Sequence, residues 1–251
     1  MILSKKKGIL AAMAGITNGE FAAHFFNTHQ AGMVSIGGYP IGKEMIQAAI
    51  LATRRGRKEF ILQDGQETSS IVREMDCIQS PSDTIINLRI NSIDDIKRFI
   101  KQLSSEVTFK PIIEINLHCQ QQEFLSAGGG QSLIKRPSIL REMITVIQAY
   151  DYTISLKIRG NQVDPEPFSK NVNSWDIDYL HVDSYEIGTQ GTDLNLLKQF
   201  VYHCQTSVVG NNSVIDYISA EDVMKTGVQF FSVARAARSN NNIFNTIIKK
   251  P

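Results

Sequence analysis

Residues Pro111–Cys119 read Pro-Ile-Ile-Glu-Ile-Asn-Leu-His-Cys, an apolar run of strand length that ends in polar side chains. Buried parallel strands have this appearance, because they are short and rich in β-branched residues. The chain contains eight such runs: Gly8–Met13, Gly32–Gly37, Thr84–Arg89, Pro111–Leu117, Thr153–Arg159, Asp178–Asp183, Thr206–Gly210 and Gln229–Val233. Helix-like segments lie between them. Eight strand-and-helix units in series predict an α/β fold, the closed (β/α)8 or TIM barrel.

An open, doubly wound sheet is the alternative fold. Such sheets usually have fewer strands and often carry a glycine fingerprint after the first strand, which this chain lacks. We therefore expect residues 1–251 to form a single TIM-barrel domain. The stretch Arg57–Ser82 is too long for a simple loop. We interpret residues 57–83 as an insertion between the second and third units, with a helix around Gln66–Ile78.

Composition and charge argue against several classes of protein. The 26 basic and 25 acidic residues leave a net charge of +1, which does not suit a nonspecific nucleic-acid protein held by a broad basic surface. Three cysteines without CxxC spacing form neither a disulfide framework nor a zinc site. We expect no metal and a reducing, cytoplasmic setting. No run reaches the ~18 apolar residues of a membrane span, so we expect no membrane partner.

Candidate functional residues are found where the predicted strands end, which is where TIM barrels place their functional groups. The candidates are Met13, Asn87, Arg89, Asn116, His118, Cys119, Lys157, Arg159, His181, Asp183, Asn211 and Arg235. Lys157 and Arg159 are two residues apart and share a face of their strand, as do His181 and Asp183. A buried lysine needs a partner. An inward Lys157 therefore indicates either a bound ligand or a pairing with Glu114.

The loops after strands seven and eight form the usual phosphate site of this fold. Gly210, Asn211 and Asn212 offer backbone N–H groups, and Arg235 offers a fork of donors. Together they predict a phosphate site, the alternative being an ordinary glycine turn beside a surface arginine. The triplet Gly128–Gly130 follows strand four. We interpret it as a close approach of the backbone to a ligand, or as the hinge of a lid, rather than as a floppy loop.

Cys119 is the candidate catalytic residue, with His118 and Asn116 beside it just past the end of strand four. A thiol with an ordinary pKa near ~8.5 is mostly protonated at neutral pH, so it can donate a proton as a general acid. Cys77 and Cys204 fall in helix-like segments without polar neighbours, and we interpret both as packing residues.

The chain resembles the tRNA-dihydrouridine synthases in several segments that follow one another in the family's order. They are Ala12–Thr17, Glu114–Cys119, Gly128–Pro137, Leu156–Arg159, Val209–Asn212 and Val233–Arg235. The related dihydroorotate dehydrogenases share the barrel and an Asn-x-x-Cys turn, here Asn116 and Cys119. The resemblance covers roughly Leu10 to Arg238.

This resemblance implies FMN at the mouth of the barrel. Its binding residues would be Met13, Asn87, Lys157, Arg159, His181 and Asp183 around the flavin, with Gly210, Asn211, Ala234 and Arg235 at its phosphate. Cys119 would protonate the substrate while reduced flavin delivers a hydride. We therefore predict an FMN-dependent oxidoreductase that acts on a C–C bond of a small unsaturated or heterocyclic substrate.

Two alternatives stay open. The first is dihydrouridine synthesis on tRNA. Because Ser239–Pro251 is shorter than the helical tRNA-binding domain of the synthases, we favour a small-molecule substrate over tRNA. The second is a barrel that binds a phosphate ligand or flavin without redox activity. It is suggested by His118 and Gln120, which replace the glycine and proline around the family's cysteine, and by Asp183, which replaces a flavin-contacting histidine.

Overall fold

Eight parallel strands close into a barrel in the order of the chain. The computed structural model describes residues 3–186, 188 and 191–249. The strands are β1 (Gly8–Leu10), β2 (Met33–Pro40), β3 (Thr84–Arg89), β4 (Ile112–Leu117), β5 (Ile154–Arg159), β6 (Tyr179–Asp183), β7 (Ser207–Asn211) and β8 (Phe230–Val233). Each strand pairs with its neighbours in the sequence, and β8 pairs with β1. The predicted (β/α)8 TIM barrel is confirmed.

Helices surround the barrel. Those in the described residues are α1 (Gly19–Asn27), α2 (Lys43–Arg54), α3 (Glu67–Met75), α4 (Ile93–Glu106), α5 (Gln122–Ser126), α6 (Pro137–Gln148), α7 (Pro165–Trp175), α8 (Leu194–His203), α9 (Tyr217–Lys225), α10 (Arg235–Ser239) and α11 (Ile243–Ile247). Local chemistry explains their starts. The side chain of Ser92 accepts a hydrogen bond from the N–H of Asp95 and so caps α4. Asp164 caps α7, whose first residue is Pro165.

Two strands end more than one residue away from their sequence prediction. Strand β1 ends at Leu10 because the chain then turns, and the N–H of Met13 donates to the hydroxyl of Thr17. That hydroxyl also contacts the carbonyl oxygen of Gly37 at 2.9 Å, which ties this turn to β2. Strand β2 continues to Pro40, beyond the predicted end at Gly37, and its register with β3 shifts between Gly37 and Tyr39. The first and second strand ends are therefore joined by a side chain.

The residues between α2 and β3 form an excursion that includes one helix. Helix α3 lies within this stretch, close to the helix predicted around Gln66–Ile78, and a short 3-10 turn precedes β3. Glu67 anchors the start of α3, because its carboxylate accepts from the N–H of Gly42 and from Arg98. The excursion thus packs against the barrel helices.

The interior of the barrel changes character along its axis. Inward residues near the amino ends of five strands form an apolar cluster separate from the main core: Ile9, Met33, Ile85, Ile112 and Val209. Since side chains alternate along a strand, the next inward residue of β4 is Glu114, and that of β3 is Asn87. The interior is therefore apolar at the amino end and polar toward the carboxyl end.

No helix in the described part of the chain is long and apolar enough to cross a lipid bilayer.

Candidate functional site

Glu114 is the centre of a hydrogen-bond network inside the barrel. Its carboxylate accepts from Asn87 Nδ2 at 2.6 Å and from Ser155 Oγ at 2.9 Å, and it lies 2.9 Å from His181 Nδ1. The second ring nitrogen of His181 lies 2.7 Å from Ser232 Oγ. All five residues are buried. The network therefore crosses the barrel from β3 to β8 without help from solvent.

The network holds one ionised carboxylate and one neutral imidazole. Burial alone would raise the pKa of Glu114, but the His181 ring, the Lys157 ammonium and the Asn87 amide together lower it to about 2. Burial and the nearby Lys157 lower the pKa of His181, against the opposing effect of Glu114. A neutral His181 satisfies both contacts when Nδ1–H donates to Glu114 and Nε2 accepts from Ser232.

Lys157 is the next inward residue of β5 after Ser155. In the sheet it pairs with Asn116 of β4 and with His181 of β6. It is 4% exposed, and within the described residues its ammonium has neither a hydrogen bond nor an ion pair. Burial lowers the pKa of Lys157, while Glu114 and Asp183 oppose that shift. Such an amine is costly to leave charged and without a direct partner.

His118 and Asp183 form a polar pair at the carboxyl end of the barrel. His118 Nε2 lies 2.5 Å from a carboxylate oxygen of Asp183, and the two side chains are 25% and 15% exposed. Burial would raise the pKa of Asp183, but the hydrogen bond from His118 and the charges of Arg159 and Lys157 lower it. Asp183 is therefore ionised at neutral pH.

His118 is neutral at pH 7. Burial is the main reason that its pKa is lowered; Asp183 raises the pKa, while Lys157 and Arg159 lower it further. A neutral ring that donates from Nε2 to Asp183 has a free lone pair on Nδ1, which has no hydrogen-bond partner among the described residues. This arrangement, an imidazole oriented by a carboxylate, is that of a general base.

Asn116 sets the direction of His118. Its side-chain oxygen accepts from the backbone N–H of His118 at 3.0 Å and of Cys119 at 2.9 Å, which fixes the turn at the end of β4. Its amide nitrogen donates to Asn87 at 2.9 Å. The general-base candidate is thus connected to the interior network through one amide side chain.

The loops after β7 and β8 add hydrogen-bond donors to this end of the barrel. The backbone N–H groups of Asn212, Ala234 and Arg235 have no partner within the part of the chain that the structure describes. The guanidinium of Arg235 contacts the side-chain oxygen of Asn212 at 3.4 Å. On β5, the buried Nε of Arg159 also lacks a hydrogen bond. Such a set of unused donors suits an anion.

Cys119 does not join His118. Its thiol packs in an apolar cluster with Met45, Ala48 and other residues of α2 and α5, and it is 5% exposed. Continuing the strand alternation beyond β4 puts Asn116 and His118 on one face and Cys119 on the other. The sequence therefore contained the signal that separates the two neighbours.

Other predicted site residues are used inside the protein. The polar atoms of Asn87 and His181 are taken by the interior network. Met13 lies half-buried in the turn after β1, where its N–H and carbonyl oxygen contact Thr17. Gly210 lies in β7, where a Cβ would stand 2.6 Å from Val223, so its lack of a side chain serves packing.

The glycine triplet after β4 is fastened rather than loose. Gly130 has φ +57°, and a Cβ at this position would lie 2.6 Å from the carbonyl oxygen of Cys119. The N–H of Gln131 donates to that oxygen at 3.0 Å, and Arg136 donates to the carbonyl oxygen of Gly128. The close approach expected here is thus an approach of backbone to backbone, under the turn that carries His118.

Two structural features of this end of the barrel were not predicted from the sequence. Ser155 and Ser232 belong to the interior network, and period-two alternation with Lys157 and Ala234 could have indicated them. Arg89 forms a buried ion pair with Glu59, a residue of the excursion between α2 and β3. No local pattern links those two, since thirty positions separate them.

Within the described residues no group of three or more potential ligands could hold a metal ion.

Comparison with known proteins gives one relative in sequence. The chain is 32% identical over 240 residues to the protein named Uncharacterized protein MJ0144 of Methanocaldococcus jannaschii, with 94% of this chain and 91% of the relative covered. The chain belongs to the MJ0144 family. No protein-family model matches the sequence.

Solved structures resemble the MJ0144-family barrel in fold. A chain of the tryptophan synthase complex from Pyrococcus furiosus has a TM-score of 0.64 at 14% identity, covering 99% of both chains. A mutant tryptophan synthase alpha-subunit from the same organism has a TM-score of 0.61 at 14% identity, covering 96% of this chain and 94% of the other. A FabK mutant from Thermotoga maritima has a TM-score of 0.56 at 12% identity, covering 92% and 61%. Similarity at this level establishes the fold alone.

These comparisons correct the functional prediction. The barrel implied by the resemblance to dihydrouridine synthases is confirmed, but the structures that it matches include tryptophan synthase chains and no dihydrouridine synthase is among those reported above, and the relative in sequence carries no flavin assignment. The prediction of an FMN-dependent oxidoreductase acting on a C–C bond is wrong. Dihydrouridine synthesis on tRNA requires the same reduction and is corrected with it, as is the role of Cys119 as proton donor to the substrate of that reduction.

Proposed function

We propose that this protein is an enzyme that transfers protons, without redox chemistry, on a small anionic carbonyl compound bound at the carboxyl end of the barrel. The observation that carries the proposal is the His118–Asp183 pair. His118 donates to an ionised carboxylate on one side and has a free Nδ1 on the other. The unpartnered Lys157 lies close enough to shift the pKa of both residues.

His118 serves as the base. Its lowered pKa means that Nδ1 has its lone pair at neutral pH and can accept a proton from a carbon acid. Asp183 stabilises the imidazolium that results, because its carboxylate already holds Nε2–H. A positioned general base of this kind contributes about 10²- to 10⁴-fold to a rate.

The anionic part of the substrate is assigned to the donors that have no internal partner. These are Arg159 and the backbone N–H groups after β7 and β8, with the Arg235 guanidinium beside them. A phosphate and a carboxylate share the chemistry that these donors recognise. Lys157, which is buried beside His118 and Asp183, would face the carbonyl group of the bound compound.

FMN binding itself stays a prediction, and the proposed proton transfer by His118 does not require the cofactor. Two residues predicted to touch the flavin, Asn87 and His181, have their polar atoms occupied inside the barrel. Lys157 and Arg159 have no such contacts within the described residues. Purified protein with an absorbance band near ~450 nm would support flavin binding, since the cofactor alone carries that colour.

Proton exchange in D2O tests the proposal directly. The protein is incubated with pyruvate, dihydroxyacetone phosphate or glyceraldehyde 3-phosphate, and NMR follows the loss of the proton on the carbon next to the carbonyl. We expect exchange with at least one of these probes, and a loss of about 10²-fold or more in His118→Asn.

His203→Gln is the matched control for this experiment. His203 lies in the last turn of α8, which is the end of the helix at the opposite side of the barrel. Its removal should leave exchange unchanged. Exchange with none of the probes, together with no binding of phosphate or pyruvate in calorimetry, would contradict the proposed function.

A further inference from the structure

We propose that Lys157 forms an imine with the carbonyl group of the substrate, so that this site takes aldehydes or ketones that carry a phosphate or a carboxylate. The inference rests on the proposed function and names the covalent step of that same site. It assigns Lys157 a role as a catalytic residue that attacks the substrate, beyond holding a charge.

The placement of Lys157 carries the inference. Its side chain is on the inward face of β5. It lies two residues after Ser155 and two residues before the strand ends at Arg159. It is 96% buried, being 4% exposed, yet the described residues place no acceptor within hydrogen-bond distance and no carboxylate within ion-pair distance of Nζ. Arg89, the inward cation of β3, has a buried carboxylate partner instead.

The carboxylate nearest in the network is already engaged. Glu114 accepts from Asn87, Ser155 and His181, so its lone pairs point to those donors. Asp183 is held by His118. Both carboxylates influence Lys157 through space without binding it, which leaves the amine free to react.

Electrostatics agree with this placement. Burial lowers the pKa of Lys157, and lysines that react as nucleophiles are activated by the same desolvation. The unprotonated amine has the lone pair that attacks a carbonyl carbon. Because the pKa of Lys157 is lowered, more of this form is present at neutral pH than for an exposed lysine.

The step balances without an oxidant or reductant. The Nζ lone pair forms a bond to the carbonyl carbon, and the carbonyl π electrons move to oxygen. The proton that leaves nitrogen passes through His118 Nδ1 to the oxygen, and a second proton taken from solvent lets that oxygen depart as water, which leaves a protonated carbon–nitrogen double bond and a neutral His118. That cation withdraws electrons from the neighbouring carbon, so neutral His118 can then remove its proton. Hydrolysis by one water restores the amine and the carbonyl compound.

Reductive trapping tests the inference on the unaltered protein. The wild-type chain is incubated with sodium cyanoborohydride and either dihydroxyacetone phosphate or pyruvate, and tryptic peptides are analysed by mass spectrometry. Cyanoborohydride converts an imine to a stable secondary amine on the lysine. We expect Lys157 to be the principal site of modification, labelled well above any surface lysine, because burial leaves more of its amine unprotonated at neutral pH. The two probes distinguish a phosphate-bearing from a carboxylate-bearing substrate.

Variants supply the controls. Lys157→Arg should show no adduct at this position, and Lys198→Arg, a substitution on the outer helix α8, should leave trapping at Lys157 unchanged. Circular dichroism melting confirms that both variants are folded. Trapping at surface lysines only, with phosphate or pyruvate still bound in calorimetry and His118-dependent exchange still present, would overturn the imine and leave the proposed function standing. Absence of binding, exchange and trapping together would refute both.

Discussion

At the scale of single residues, three neighbours at the end of β4 have different tasks. Asn116 fixes the turn, His118 meets Asp183, and Cys119 packs against α2. Adjacent positions in a strand point to opposite faces, and the turn maintains that separation. The proposed base is therefore the imidazole, one residue before the thiol.

Removing the carboxylate should move the pH profile of proton exchange in a defined direction. Burial lowers the pKa of His118 and Asp183 raises it. The exchange rate of the wild type should rise with pH through a value below 6.5 and stay level above it. In Asp183→Asn the raising effect is lost, so the acid limb should move to lower pH while the plateau falls. A limb that moves to higher pH would refute the assignment of His118 as the base.

The thiol should be dispensable. Cys119→Ala removes a buried sulfur from an apolar cluster and touches neither His118 Nδ1 nor Lys157. We expect proton exchange at the wild-type rate, with the free energy of unfolding reduced by about 1 kcal/mol, the central value for single substitutions. NMR exchange and urea titration provide the two readouts. Loss of exchange in a folded Cys119→Ala protein would restore the thiol to the site.

At the scale of elements, the turn after β4 depends on a glycine below it. Gly130 approaches Cys119 so closely that no side chain fits, and its backbone is left-handed. The hydrogen bond from the Gln131 N–H to the Cys119 carbonyl oxygen joins the two segments, and Arg136 braces the glycine segment by donating to the carbonyl oxygen of Gly128. The turn that presents His118 is thus stabilised by its contact with the backbone of Gly130 and Gln131.

A pair of glycine substitutions separates steric overlap from backbone strain. Gly65 is also left-handed, with φ +78°, but a Cβ there meets nothing within 4 Å. Gly65→Ala should cost about 1 kcal/mol for the left-handed conformation alone. Gly130→Ala should cost about 1–3 kcal/mol more, because it also overpacks against Cys119. Urea titrations with equal m-values measure both. Equal costs for the two variants would show that the turn adapts freely.

The same elements show how far sequence reasoning extends. The run of apolar residues from Ile112 predicted β4 almost to the residue, and Ser92 with Asp95 predicted the start of α4. Such features depend on neighbours in the sequence. The contact between Gly130 and Cys119, and the pair of Arg89 with Glu59, depend on how distant segments meet. The periodicity of apolar residues carries no information about contacts between residues that are distant in the sequence.

At the scale of the whole molecule, the barrel contains a buried charged network where many barrels are apolar. Glu114 joins β4 to β3, β5 and β6 through side chains, so its bonds connect strands around half of the barrel. Sequence analysis placed Lys157 opposite Glu114 as one possibility. It did not place His181 there, because an inward histidine at a strand end was interpreted as a ligand contact.

This network predicts how stability depends on pH. The pKa of Glu114 is about 2 in the folded protein, against an ordinary value of 4.5. A lowered carboxyl pKa contributes stability above the ordinary value, and this contribution is lost as the pH falls toward the folded value. The free energy of unfolding should therefore decline between about pH 4.5 and 2, and Glu114→Gln should show a smaller decline. Urea titrations across this range measure both, and parallel curves would contradict the ionised state of Glu114.

Truncating this carboxylate should be far more damaging than neutralising it. Glu114→Ala leaves the donors of Asn87, Ser155 and His181 without this acceptor, and it removes one of the two carboxylates that raise the pKa of Lys157. Breaking a buried charged interaction in this way costs about 3–5 kcal/mol. Thermal melting should show the loss at pH 7. A melting temperature equal to that of the wild type would mean that water replaces the carboxylate.

The apolar cluster at the amino end of the strands closes that end of the barrel, so the barrel interior opens at the carboxyl end. Reactant, water and product reach Lys157 by the same route, since Ile9, Met33 and Ile112 close the other end. A product must therefore depart before the next reactant enters. Steady-state kinetics of any reaction found for this protein should accordingly show a product that inhibits competitively against the substrate from which it forms.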